Sequence, residues 1–313
     1  MNDQTTHSTE DIWTQFHDLR HPTTFLEPYS GRLLQFWIDF FTGFPPDRRH
    51  TMLDIGTGNL PIPKIMLGIR GHEFDIHAID TADIRPEQVP ATGNVHFYRR
   101  TAEDTGFPGA MFDGVTGCFA LEYSELERSL PELHRVMKPR ARGAFVLHHP
   151  DSVSVQSARA AMREDIPVIL ESGIFEATQE YVAEPSPERR RAVEEILARR
   201  LDRPELSRFW RVDAVVKTVN RYLHLPSMER FVKWRQSFLL DQRRREALLA
   251  GVVEDRGAFR ALLEASGFRV SHFGPIEDVA GAAAVPPGAA PPAPGAAEVL
   301  GWGLLLTRAA AHG

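Results

Sequence analysis

The pattern of apolar positions divides the chain into stretches of different period. From Asp11 to Phe44 apolar residues recur at helical spacing (Ile12, Phe16, Leu19, then Leu33, Leu34, Phe36, Trp37, Phe40 and Phe41). This predicts two helices broken near His21-Pro22, the second ended by Pro45-Pro46. Short, continuous apolar runs follow, separated by helical stretches. Strands are predicted at His50–Ile55, Phe74–Asp80, Val95–Arg99, Phe112–Phe119 and Gly143–His148, with helices at Pro61–Gly71 and Ser124–Met137. After Pro150 the grammar changes: residues 151–256 are charged, helix-forming and without a convincing strand. It resumes with a helix at Ala258–Ser266, ended by Gly267, and strands at Phe268–Phe273 and Val299–Thr307. Between those two strands, Gly281–Ala297 is rich in Ala, Pro and Gly and reads as a long loop.

Strand–helix alternation at this spacing predicts an α/β, Rossmann-like fold: a seven-stranded, mostly parallel sheet with helices on both faces. The expected divisions are N-terminal helices (1–44), a cofactor-binding core (45–150), a helical insertion or lid between strands five and six (151–256), and completion of the core (257–313).

Composition narrows the function classes. The chain has 313 residues, 42% hydrophobic and 25% charged, enough for a substantial core. A formal net charge of -6 gives no reason to expect nucleic acid as a partner. The basic runs Arg189-Arg190-Arg191 and Arg243-Arg244-Arg245 lie in Glu-containing helical stretches and read as solvated helix faces. The single cysteine, Cys118, excludes an intrachain disulfide and fits a reducing cytoplasm. No secretory signal or membrane span is predicted. The histidines are too dispersed for a metal site, so no metal is expected.

The central chemical signal is Leu53-Asp54-Ile55-Gly56-Thr57-Gly58-Asn59-Leu60, placed after an apolar strand and before a helix. Glycines there let a ligand approach the backbone, and the helix start offers N–H groups. A second acid, Asp80, ends the next strand about twenty residues on, where a ribose-binding carboxylate is expected in nucleotide-binding folds.

With these residues in order, the chain resembles the class I S-adenosylmethionine-dependent methyltransferases, in particular the ubiquinone-type and small-molecule group. Leu53–Gly58 resembles the family's first motif and Ile76–Asp80 its second. Thr101–Pro108 resembles the stretch that cups the adenine, and Phe112–Tyr123 the fourth-strand motif. Glu132–Pro139 resembles the helix and Lys-Pro turn before strand five, and Gly267-Phe268 the approach to strand six. Three positions depart from the pattern: Leu60 and Arg140 stand where the family often has glycine, and Thr101 where it often has an acid.

The resemblance implies S-adenosyl-L-methionine as cofactor, with S-adenosyl-L-homocysteine as product. Asp54, Gly56 and Gly58 would meet its amino-acid end, Asp80 its ribose, and Thr101, Ala102 and Glu103 its adenine. Cys118 and Phe119 would lie near the sulfonium, together with Glu122. The acceptor would then meet the methyl group at the ends of strands four and five, which makes Tyr123, His148 and His149 the candidate catalytic residues. Alternation along a strand directs at most one of the two histidines into the site.

The implied activity is methylation of O, N or C in a small-molecule metabolite, as in biosynthesis of small molecules, by a cytoplasmic enzyme without nucleic-acid or membrane partners. A homodimer is the base-rate expectation. Three alternatives stay open: another use of the sulfonium, such as cyclisation with release of methylthioadenosine; an NAD(P)-dependent oxidoreductase; and a degenerate binding module.

Overall fold

The computed structural model describes residues 13–14, 27–84, 93–202, 206, 210–279 and 297–309. Phe16, most of the first N-terminal helix and nearly all of the Ala/Pro/Gly loop before the last strand lie outside the described residues. So does the side chain of Trp210. The chain divides into two compact units: Gln156–Leu249, and the remainder of the described residues.

The larger unit is built on one seven-stranded sheet. Its strands are β1 (His50–Ile55), β2 (Phe74–Asp80), β3 (Val95–Arg99), β4 (Phe112–Cys118), β5 (Met137–Leu147), β6 (Phe268–Val279) and β7 (Ala297–Arg308). They lie in the order β3-β2-β1-β4-β5-β7-β6. The ladders from β3 to β5 are parallel, and β7 runs antiparallel to both of its neighbours. The order reverses between β1 and β4, and the crevice beyond the carboxyl ends of those strands is where ligands bind in open α/β sheets.

Both faces are covered, which is why the strands read as continuous apolar runs. Met52, Ala144 and Val146 point to one face and pack with Trp37, Phe40 and Phe41 of helix α1 (Gly31–Thr42) and Ile62 and Met66 of α2 (Pro61–Arg70). Leu53, Phe145 and Leu147 point to the other. There they meet Leu130 and Leu133 of α3 (Leu126–Val136), and Phe259 and Leu263 of a helix at Arg256–Ala265.

Strand five starts earlier than the expected Gly143. Met137 already pairs with Phe112, and the ladder then shifts register to Gly114↔Arg142. The Lys-Pro segment is therefore a bulge within the strand, with Arg140 in the left-handed region at φ 65°.

The regular structure of the smaller unit is all helical among its described residues. It contains α4 (Ile166–Glu171), α5 (Ile174–Ala183), α6 (Pro187–Ile196), α7 (Trp210–His224) and most of α8 (Met228–Ala250). It has its own apolar core, where Tyr222 and Phe231 are buried and Trp234 and Phe238 pack on Phe175. Those aromatics serve helix packing. The Arg243–Arg245 run is not simply a solvated face: Arg245 is buried and binds Asp241 at 2.8 Å, and Arg211 bridges to Asp165 at 3.3 Å.

Candidate active site

The glycine turn after β1 is held from two sides. Thr57 N–H donates to Ile79 O on β2, and Gly58 N–H donates to Asp80 Oδ2 at 2.8 Å. Asp80 Oδ1 accepts the Ala82 N–H at 2.9 Å. The predicted ribose carboxylate is thus also the clamp that ties the turn to the end of β2. A carboxylate oxygen has room for more than one donor, so the two roles are compatible.

Gly56 adopts φ 55°, and a Cβ there would stand 2.4 Å from the Cβ of Ala120. Only glycine fits so close to the turn that follows β4. Leu60 has φ 62° at the start of α2, so the position where the family often has glycine keeps a left-handed backbone while burying a leucine.

Asp54 is buried at the end of β1. Its Oδ1 accepts from Thr116 Oγ1 at 2.7 Å, while Oδ2 has no hydrogen-bond partner among the described residues. Burial raises its pKa to about 7. The hydroxyl of Thr57 is likewise buried, close enough to the Asp54 carboxyl to lower its pKa against the effect of burial, without a well-aligned hydrogen bond among the described residues. Buried polar atoms left open beside a glycine-rich turn are what a zwitterionic ligand would complete. Thr57 and Thr116 were not singled out from the sequence.

Thr101, Ala102 and Glu103 follow β3. The backbone there is tied to β2, since Arg100 N–H donates to Asp80 O. Thr101 is exposed, Ala102 packs against the core, and Glu103 Oε1 accepts the Glu125 N–H at 2.8 Å, bracing the start of α3.

The ends of β4 and β5 bring a second group together. Phe119 holds φ 54° and stacks on His148, with ring centroids 4.5 Å apart. A bulky residue in the left-handed region costs about 1–2 kcal/mol, and such strain clusters at functional sites. The Tyr123 hydroxyl and His148 Nε2 share a hydrogen bond of 2.7 Å. The His148 N–H donates to Glu122 Oε1 at 2.9 Å, and Glu122 Oε2 is buried without a partner among the described residues. Burial moves the two groups in opposite directions, His148 down to about 3 and Glu122 up to about 8. Burial also raises the Cys118 thiol.

His149 goes elsewhere. Its ring lies 3.9 Å from that of Trp302, and its Nδ1 accepts the Asp151 N–H. Trp302 in turn donates to Val253 O. Of the two histidines, only His148 joins Tyr123, Glu122 and Phe119.

Residues 53–145 match the family model described as a methyltransferase domain. The glycine turn after β1 and the ends of β1, β2 and β4 lie within that matched stretch. Over 86 residues this chain is 30% identical to a 2-phytyl-1,4-naphtoquinone methyltransferase of Nostoc sp., covering 27% of this chain and 38% of that protein. Over 122 residues it is 28% identical to the ubiquinone/menaquinone biosynthesis C-methyltransferase UbiE of Vibrio cholerae, covering 36% and 47%. The matched stretches thus span less than half the length of these relatives. Among solved structures, the YcgJ protein from Bacillus subtilis aligns over 88% of this chain and 98% of its own, at 14% identity and a TM-score of 0.43. Among the described residues no helix is long and apolar enough to cross a membrane. Nor does any group of three or more His, Cys, Asp or Glu there have the arrangement to hold a metal ion.

Proposed function

We propose that this chain transfers the methyl group of S-adenosyl-L-methionine to a small-molecule acceptor. The observation that carries this reading is the open, buried carboxyl oxygen of Asp54 beside the Gly56–Gly58 turn. Asp54 would take the cofactor's ammonium, the turn its carboxylate, and Asp80 the ribose hydroxyls. Ala102 and Glu103 would border the adenine, and Cys118 and Phe119 the sulfonium. The bound cofactor supplies an electrophilic methyl group. The protein supplies alignment and a site closed to water, which an in-line displacement needs more than a strong base.

Tyr123 and His148 would orient the acceptor. A histidine held near pKa 3 by burial stays neutral at physiological pH. It serves as a hydrogen-bonding partner of Tyr123 and not as a store for protons. The names of both relatives refer to quinones, and the apolar surroundings of Phe119 suit a partly apolar acceptor.

The test is calorimetric titration with S-adenosylmethionine, followed by mass spectrometry of the nucleotide after incubation with a metabolite panel. Formation of S-adenosylhomocysteine with a product heavier by one methylene is the expected result. Methylthioadenosine would instead mark attack within the amino-acid chain, and absence of binding by folded protein would refute the proposal.

A further inference from the structure

Glu122 has a carboxyl group pinned on one side and open on the other. His148 N–H holds Oε1 at 2.9 Å, and Oε2 is sealed from solvent with no partner among the described residues. His148 at the end of β5 meets it through its backbone N–H, and the charge of Glu122 acts on the Cys118 thiol of β4, as does that of Asp54 on β1. Besides burial, the groups that shift its carboxyl are the backbone N–H groups of Glu122, His148 and Ala120, and none is a lysine or arginine. The site therefore holds a buried acid without a resident cation. It lies at the end of β4, where the proposed function places a sulfonium.

We propose that Glu122 is the charge-balancing proton acceptor of the reaction: ionised opposite the sulfonium, and protonated by the acceptor as that positive charge disappears. This rests on the reading of the chain as a methyltransferase. The acceptor atom's electron pair forms the new bond to the methyl carbon, and the carbon–sulfur bond breaks with its pair remaining on sulfur. The proton lost by the acceptor passes to Glu122 Oε2. The positive charge of the sulfonium and the negative charge of Glu122 vanish together, so the sealed pocket carries no net change in unpaired charge. Burial favours the protonated acid at the end of the cycle, as its raised pKa indicates. Glu122 thereby makes the site prefer the cationic cofactor over its neutral thioether product, which assists product release.

The discriminating experiment measures protons released on binding, by calorimetry in buffers of different ionisation enthalpy. It is run with S-adenosylmethionine and with S-adenosylhomocysteine near pH 7. Both ligands present an ammonium to Asp54, so only the sulfonium draws on Glu122. The full chain is expected to release about one proton more with the sulfonium than with the thioether, beyond the difference shown by Glu122→Gln. Ionisation of the ligands' own amino groups is common to both proteins and cancels. The preference for the sulfonium should rise by up to about tenfold per pH unit below the acid's pKa, and stay flat in Glu122→Gln. The glutamine oxygen can still accept the His148 N–H, so the fold is conserved. Asp54→Asn is a second variant, expected to keep the sulfonium-dependent release. Equal release with both ligands in the wild-type chain, or an unchanged difference in Glu122→Gln, would overturn this inference alone. Failure of folded protein to bind either ligand would overturn the methyltransferase reading with it.

Discussion

Single residues carry both the strain and the charge of this site. Leu60 and Arg140 occupy positions where the family often has glycine, and both adopt positive φ. Their replacements should differ in sign. Arg140 is exposed, so Arg140→Gly removes strain at little other cost and should stabilise the protein by about 1 kcal/mol. A higher midpoint in denaturant would show it. Leu60 is fully buried, so Leu60→Gly loses packing that outweighs the relief and should destabilise by about 2–4 kcal/mol in the same assay. Titration is the second residue-level consequence. Asp54 and Glu122 have folded pKa values above those of an unfolded chain, so between the ordinary carboxylate range and about 7 or 8 the folded state keeps protons the unfolded state has released. Their contribution favours folding at low pH and is lost as pH rises through that window. His148 acts oppositely: its depressed value weakens the fold as pH falls below about 6.5. Thermal melts from pH 6 to 8.5 should show the ligand-free protein losing stability toward the alkaline end. Asp54→Asn should lessen that loss, and a slope unchanged by the substitution would count against a protonated Asp54.

At the scale of elements, Glu103 separates two roles that sequence alone could not. Its side chain braces the first turn of α3, so Glu103→Ala should lower stability by about 1 kcal/mol, read from the melting temperature without ligand. If cofactor affinity fell with no loss of stability, the residue would be a ligand contact only. The strands were legible because both faces of the sheet are covered, so apolar runs mark them directly. The bounds of β2 and β3 match the expectation residue for residue. The start of β5 was hidden because a bulge carrying Lys138, Pro139 and Arg140 interrupts its apolar pattern. The end of β6 was hidden because Pro275 and exposed polar residues lie in a strand with one partner. The place of Asp54, Asp80 and the glycines at one turn was legible because a turn between a strand and a helix constrains residue type. The brace from Glu122 to β5 was not, since it joins residues 26 apart in sequence through a backbone amide. The same limit hid the Thr116–Asp54 bond, whose partners are 62 apart.

At the scale of the molecule, the helical unit Gln156–Leu249 has a core and an ion-pair network of its own. We propose that it sets acceptor selectivity. A chain in which a short Gly/Ser linker replaces residues 156–249 should still bind S-adenosylmethionine by calorimetry and lose turnover of the acceptor. Sustained turnover would assign selectivity to the sheet unit. The linker must leave Val253 in place, because its N–H and carbonyl join His148 and Trp302.

The antiparallel strand has a consequence for the order in which the protein is made. β7 is the last strand in chain order, yet it lies inside the sheet between β5 and β6. On a ribosome, β6 emerges with no neighbour to join, and β5 waits with one edge bare. Until β7 follows, the nascent chain presents two sticky borders, and a helper that shields them during translation would have its narrowest window there.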